Sequence, residues 1–113
     1  MSLNITTRGL DGVLAIDIEG KLDTTTSSGA LEVLLQQLQG DPPSVLINLA
    51  PLEFVSSAGL RVILRVAKRV RAYGGEMKVT GAQGVVKEVL EISGFDSLLS
   101  LYDDEDQALA AFN

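Results

Sequence analysis

The alternation of two hydrophobic periodicities along the chain constrains its fold more than any other feature. Residues 13–19 alternate in side-chain character with a period of two, which is typical of a strand. Residues 58–73 instead place apolar side chains three and four positions apart, as on one face of an α-helix. Strand-like runs and helical segments then follow one another to the C-terminus. This pattern predicts an α/β domain with a largely parallel sheet.

Turn residues between these segments define the order of elements. Residues 9–12, Gly-Leu-Asp-Gly, predict a turn that joins the first two strands in a hairpin. Residues 20–23 are expected to leave the sheet, and residues 51–57 to form a loop. The predicted strands cover residues 5–8, 13–19, 45–49, 77–80 and 98–101. The first predicted helix follows residues 24–28, and the other three cover residues 58–73, 85–92 and 103–112.

We therefore expect one α/β domain over residues 1–113 with the order β-β-α-β-α-β-α-β-α. Its helices pack on a central, mostly parallel sheet that follows an N-terminal hairpin. Hydrophobic residues make up 46% of the chain, which is enough to build a core and excludes a disordered tail.

Composition limits the chemistry that this domain can perform. The chain contains no cysteine and no histidine, so it lacks disulfides, thiolates, the commonest metal ligand and the commonest general base. Its aspartates and glutamates form no paired motif, and no nucleophile–base pair can be assembled. We expect a binding protein that is not an enzyme, with no cofactor and no metal site.

The sequence also bears on location. It has no apolar run near the roughly 20 residues that span a bilayer. The first residues, Met1-Ser2-Leu3, lack the basic and apolar regions of a secretory signal and are given no functional role. We expect a cytoplasmic protein with no membrane contact.

Charge is unevenly distributed along the chain. The net charge of −6 disfavours nucleic-acid binding by the surface as a whole. Residues 103–106 are all acidic, whereas five of the nine basic residues fall within the second predicted helix. Four of these share its outer face, which is either a solvated helix face or a patch that docks a partner. The four are Arg61, Arg65, Lys68 and Arg69.

The most informative segment is residues 48–60, Asn-Leu-Ala-Pro-Leu-Glu-Phe-Val-Ser-Ser-Ala-Gly-Leu. It follows a buried strand, and binding sites in α/β sheets collect at the carboxyl ends of parallel strands. Ser56 and Ser57 lie at the predicted helix start, where two roles are open. A serine there caps the helix, which is worth about 1 kcal/mol. Alternatively it is a phosphoacceptor, because a phosphate at that place meets free N–H groups and a partial positive charge.

The same segment resembles the signature of STAS domains, a family named for sulphate transporters and anti-sigma-factor antagonists. Asn48 matches the residue that ends the central strand, Ser57 the serine that a cognate kinase phosphorylates, and Gly59 the glycine after it. Residues 20–23, Gly-Lys-Leu-Asp, resemble the family's Gly-x-Leu-Asp element, and residues 94–96, Gly-Phe-Asp, resemble a later turn. The order of elements matches along nearly the whole chain.

Two positions depart from the family pattern. Ser56 stands where the family often has Asp, and Ala58 where it often has Ser. Ser56 is therefore a second candidate phosphoacceptor.

The resemblance implies a partner-switching protein. Its unphosphorylated form would bind an anti-sigma factor that is also a serine kinase and so release a sigma factor. Phosphorylation of Ser57 would break that complex, and a serine phosphatase would restore it. With the first two arginines of the basic patch, the candidate partner-binding residues are Asp23, Asn48, Ser56, Ser57, Ala58, Gly59, Arg61 and Arg65.

Two alternatives stay open. Asp23 is either an N-cap of the first helix or, as the resemblance implies, a contact to the kinase. The chain could also be a STAS module without a phospho-switch that serves another partner. In that case it would act as a lipid-transport complex subunit or as a signalling scaffold.

Overall fold

The computed structural model describes residues 3–112 and confirms an α/β domain, with one strand more than predicted. Met1 and Ser2 lie outside the described residues. A short 3₁₀ helix, Phe95–Ser97, precedes the last strand. The elements are β1 (Leu3–Leu10), β2 (Val13–Leu22), α1 (Ser27–Gln37), β3 (Ser44–Asn48), β4 (Leu52–Val55), α2 (Ser57–Ala72), β5 (Glu76–Thr80), α3 (Gly84–Ile92), β6 (Leu101–Tyr102) and α4 (Glu105–Ala111).

The sheet has the predicted mixed character. Its main path runs in the order β1-β2-β3-β5-β6, and β4 pairs with β2 off that path. β1 and β2 form the antiparallel hairpin, and the other pairs are parallel. The expectation of a hairpin followed by a parallel sheet is therefore confirmed.

The predicted loop over residues 51–57 is wrong, because it contains β4 and the first residue of α2. β3 pairs with residues 14–17 of β2, and β4 pairs with residues 20–22 farther along the same strand. β2 changes partner after Asp17, and the register of its pairing with β4 then shifts between Gly20 and Lys21. Residues 20–22 thus stay in the sheet, contrary to prediction, because β4 supplies them with a hydrogen-bonding neighbour.

The C-terminal boundaries also differ from prediction. Most of the strand predicted over residues 98–101 is irregular, and β6 contains only Leu101 and Tyr102. The last helix begins at Glu105 instead of Asp103, because Asp104 caps it. The Asp104 carboxylate accepts a hydrogen bond from the Gln107 backbone N–H at 2.9 Å.

The core lies on both faces of the sheet. In β3, the buried side chains of Val45 and Ile47 belong to the main core, with residues of α1, α2 and α3. Leu46, which lies between them, joins a second cluster with Ala108 of α4. Because successive residues of a strand point to opposite faces, α4 covers the face opposite the other three helices.

No helix within residues 3–112 is both long enough and apolar enough to cross a membrane. The strands β2 and β4 end side by side at Leu22 and Val55, whose Cα atoms are register partners. Ser56 follows this edge directly and Ser57 begins α2, so both candidate phosphoacceptor serines lie here.

Candidate functional site

Ser56 is the residue that caps α2. Its backbone is extended, with φ −94° and ψ 175°, and its hydroxyl oxygen accepts a hydrogen bond from the Gly59 backbone N–H at 3.2 Å. Its carbonyl oxygen accepts from the Leu60 N–H at 2.9 Å, and its own N–H donates to the Leu22 carbonyl at 3.0 Å. The capping role left open between two serines thus belongs to Ser56.

Ser57 is the first residue of α2, and its side chain is exposed. Its hydroxyl makes no hydrogen bond to any residue in the described range 3–112. Because Ser56 already caps the helix, the Ser57 hydroxyl has no structural task there and faces solvent. Phosphorylation of either serine stays a prediction, but the two hydroxyls now have different surroundings.

Gly59 allows α2 to approach the sheet edge closely. A Cβ atom at this position would lie 2.8 Å from Leu22 Cγ and 2.9 Å from Val55 Cγ2. Both neighbours are buried, and Gly59 is buried as well. This glycine therefore positions the serines, and its direct contact with a partner stays a prediction. Ala58, beside it, is half-buried.

Asp23 closes the turn that precedes α1 but is not the N-cap of that helix. Its Oδ1 accepts hydrogen bonds from the Thr25 hydroxyl at 2.8 Å and the backbone N–H groups of Thr25 at 3.0 Å and Thr26 at 3.1 Å. The Thr25 hydroxyl chiefly holds the pKa of the Asp23 carboxyl below its ordinary value. The N-cap position belongs to Thr26, which makes no side-chain capping bond.

The ends of β2 and β4 bring Asp23 and Ser57 to one edge of the domain. Leu22 and Ser56 are joined by the backbone hydrogen bond described above. Asp23 directly follows Leu22 in the sequence, and Ser57 directly follows Ser56. A carboxylate that stays charged near neutral pH thus lies at the same edge as the exposed hydroxyl.

Asn48 fastens the turn that follows β3. Its Nδ2 donates to Asp17 Oδ1 at 2.8 Å, and its Oδ1 accepts from the Ala50 backbone N–H at 3.1 Å. The side chain is thus occupied inside the domain, where it directs the chain from β3 toward β4. Its contact with a partner stays a prediction.

A charged network beneath Asn48 was missed by the sequence analysis. Arg8 donates to both Asp17 carboxylate oxygens at 2.8 Å and to Glu105 Oε1 at 2.7 Å, so it joins the hairpin to α4. Partial burial raises the pKa of Asp17, but hydrogen bonds from Arg8 and Asn48 outweigh burial and lower it below the ordinary value. Asp17 was the available signal, because its neighbours Ile16 and Ile18 are apolar and completely buried.

The outer face of α2 carries a basic stripe, defined here as Arg61, Arg65 and Lys68. All three are exposed, and at about 100° per residue they fall within about 60° of the helix circumference. Across the described part of the chain none of them forms an ion pair. Arg69 differs, because it lies 3.7 Å from the Asp41 carboxylate and stacks on the Tyr73 ring.

Phe54 is a second feature that the sequence analysis did not single out. Its side chain is 39% exposed on β4, two residues before Ser56. An exposed aromatic ring beside polar groups is typical of an interface, where such rings act as anchors. The signal was available, because aromatic residues make up only 4% of the chain.

The site has the features of a binding surface and offers no metal-binding set. In the described range, no three His, Cys, Asp or Glu side chains are grouped closely enough to hold a metal ion. The arrangement instead presents a free hydroxyl, a carboxylate, an aromatic ring and a row of cations at one edge of the domain.

Comparisons with known proteins place this architecture in a family. The family model for the STAS domain matches residues 4–108. The chain is 34% identical over 110 residues to BtrV of Bordetella bronchiseptica, a candidate anti-sigma factor antagonist, covering 97% of this chain and 95% of that one. It is 33% identical over 112 residues to the anti-sigma F factor antagonist of Paenibacillus polymyxa, covering 96% and 94% of the two chains.

Solved structures agree at the level of the fold. The crystal structure of an anti-sigma factor antagonist from Mycobacterium paratuberculosis superposes with a TM-score of 0.88 at 24% identity, covering 97% of this chain and 93% of that one. The matched family model covers β2, β4 and α2 completely. It therefore includes the edge formed by Leu22, Asp23 and residues 55–57, called the serine edge here. This chain belongs to the STAS domain family.

Proposed function

We propose that the protein is an anti-sigma-factor antagonist whose binding surface is switched by phosphorylation of Ser57. The unphosphorylated form binds an anti-sigma factor that is also a serine kinase, and this binding releases a sigma factor in the cytoplasm. The observation that carries the proposal is the exposed, unbonded Ser57 hydroxyl beside a helix cap that another serine already provides. The names of the two relatives above support the class of partner.

The chemistry of the switch needs no group from this chain besides the hydroxyl. The kinase transfers the γ-phosphoryl group of ATP to Ser57 Oγ, which gives ADP and releases the hydroxyl proton. A phosphatase uses water to return the hydroxyl and inorganic phosphate. The phosphate adds about −1.5 to −2 charges next to the free N–H groups of the first turn of α2, so the domain tolerates it without unfolding.

The partner surface in this proposal comprises the exposed groups at the serine edge. Phe54 and the basic stripe flank the serines, and Asp23 lies across from them. Gly59 and Asn48 support this surface from within the domain. A dianion in the middle of such an interface repels acidic partner groups and is costly to desolvate. A loss of about 3–4 kcal/mol would weaken binding by a few hundredfold.

The test is titration calorimetry with the serine kinase encoded near this gene. We expect Ser57→Ala to bind like the unmodified protein, and Ser57→Asp to bind at least tenfold more weakly, since Asp carries less charge than phosphate. The matched control is Ser100→Asp. Ser100 is also exposed but lies beside Arg71 and Gly75 at the opposite end of α2. If Ser57→Asp and Ser100→Asp bind the kinase with equal affinity, the phospho-switch is refuted. That result would favour a STAS module with another kind of partner.

A further inference from the structure

Ser57 and Arg61 lie one turn apart on the same side of α2. Four residues correspond to a rise of about 6 Å, and side chains at i and i+4 are neighbours on the helix surface. Both residues are exposed, and across residues 3–112 neither the hydroxyl nor the guanidinium has a polar partner. The basic stripe therefore begins directly beside the candidate phosphoacceptor.

The order of these residues favours pairing once Ser57 carries a negative charge. An acidic group four residues before a basic one is the more stabilising arrangement in a helix. Helical side chains also lean toward the N-terminus, so the Arg61 side chain extends over the turn that holds Ser57. A guanidinium group can donate two parallel hydrogen bonds to a phosphate, which a single ammonium group cannot match.

Neither Asp23 nor the rest of the basic stripe provides the same compensation. Asp23 is negative and disfavours a phosphate. Arg65 and Lys68 lie eight and eleven residues after Ser57, which corresponds to about 12 Å and 17 Å along the helix axis. Within the basic stripe, Arg61 alone lies one turn from the modified position.

We infer that phosphorylation of Ser57 creates an ion pair within α2 between the phosphate and the Arg61 guanidinium. The inference rests on the proposed function in taking Ser57 as the modified residue. Phosphorylation then changes the surface in two ways. The phosphate adds negative charge, and the ion pair removes Arg61 from the basic stripe. Acidic groups on a partner then lose one cation and face one dianion.

The test installs phosphoserine at position 57 during translation, so it needs neither kinase nor partner. The pKa of the phosphate is measured by ³¹P NMR titration at about 0.1 M ionic strength, where the Debye length is about 10 Å, in the phosphorylated protein and in its Arg61→Gln variant. We expect Arg61→Gln to raise this pKa by about 0.3 units, because an exposed ion pair at this spacing is worth a few tenths of a kcal/mol. The increase should shrink in 1 M salt, where the Debye length is about 3 Å.

Arg65→Gln is the matched control, since it removes the same charge from the same stripe one turn farther away. We expect it to shift the phosphate pKa by less than about 0.1 units. No shift in Arg61→Gln, or equal shifts in the two variants, would overturn the inference. A kinase that fails to bind or modify the protein would count against the proposed function and leave this result intact.

Discussion

Replacing Gly59 by alanine tests how tightly α2 is packed against the end of the sheet. The added Cβ would clash first with the Leu22 carbonyl oxygen, and it would lie 2.8 Å from Leu22 Cγ and 2.9 Å from Val55 Cγ2. Carbon atoms prefer separations of about 3.5–4.0 Å, so each contact is too close by roughly 0.6 Å or more. Leu22 is 0% exposed and Val55 is 1% exposed, so neither side chain has free space to enter. The first turn of α2 must therefore move away from the sheet.

The magnitude follows from opposing effects. Overpacking of a core usually destabilises a protein by about 1–3 kcal/mol. A shift of α2 also weakens the Ser56–Leu22 backbone hydrogen bond, worth about 1 kcal/mol. Alanine recovers up to about 1 kcal/mol through its higher helix propensity. We expect Gly59→Ala to lower the free energy of unfolding by about 2 kcal/mol and the melting temperature by roughly 8 °C.

Gly29→Ala is the matched control for this measurement. Gly29 also lies in the first turn of a helix, α1, but a Cβ there would meet no atom within 4 Å. We expect the same substitution to stabilise the protein by about 0.5–1 kcal/mol through helix propensity alone. Urea titrations followed by circular dichroism measure both variants. Changes of the same sign at the two glycines would refute the close-packing argument.

Two further predictions concern the helix cap and the partly buried charged network around Asp17. Ser56→Ala removes the side-chain cap of α2, and we expect it to lower the free energy of unfolding in urea by about 1 kcal/mol, whereas Ser57→Ala should change it by less than about 0.5 kcal/mol. Equal effects at the two serines would contradict this assignment. Because folding lowers the pKa of Asp17 from its ordinary 3.8, its contribution is present above that pH and is lost as the pH falls through the lowered value. Between pH 5 and about pH 2, the melting temperature of the Asp17→Asn variant should therefore fall less than that of the unmodified protein. If the two melting temperatures fall in parallel with pH, the contribution of Asp17 is disproved.

Much of the fold could be predicted because its longer elements have clear periods. The α2 helix was predicted within one residue at each end, since its apolar positions repeat regularly over 16 residues and a Gly-Gly pair follows. β3 was likewise placed within one residue, because its apolar run is buried on both faces.

The β4 strand could not be predicted in the same way. Its four residues follow a proline, and its burial does not alternate, because Leu52 and Val55 are buried while Glu53 and Phe54 are exposed. It forms because β2 extends beyond the end of β3 and leaves an edge to be paired. That requirement depends on the length of a distant strand and has no local signal.

The place of the two serines at the start of α2 was predicted, but the division of roles between them was not. The start of α2 could be placed from the sequence, yet only the backbone conformation assigns the cap to Ser56. The network under Asn48 joins Arg8 to Glu105, which are 97 positions apart in the sequence. No hydrophobic periodicity relates two residues so far apart. Charge pairs of this kind depend on which helix covers which face of the sheet.

The pairing of β4 with β2 has a consequence for how the serine edge recognises anything. Residues that begin an ordinary loop sample many conformations, and a partner must select one of them at an entropic cost of about 1–2 kcal/mol per residue. Here the chain before Ser56 is held in register by the sheet, and the chain after it is already helical. The surface is therefore pre-organised, so its contacts translate into affinity with little loss to ordering. Phosphorylation as proposed would add charge to a backbone that is already ordered, so the dianion at Ser57 and the loss of Arg61 from the basic stripe would distinguish the two states.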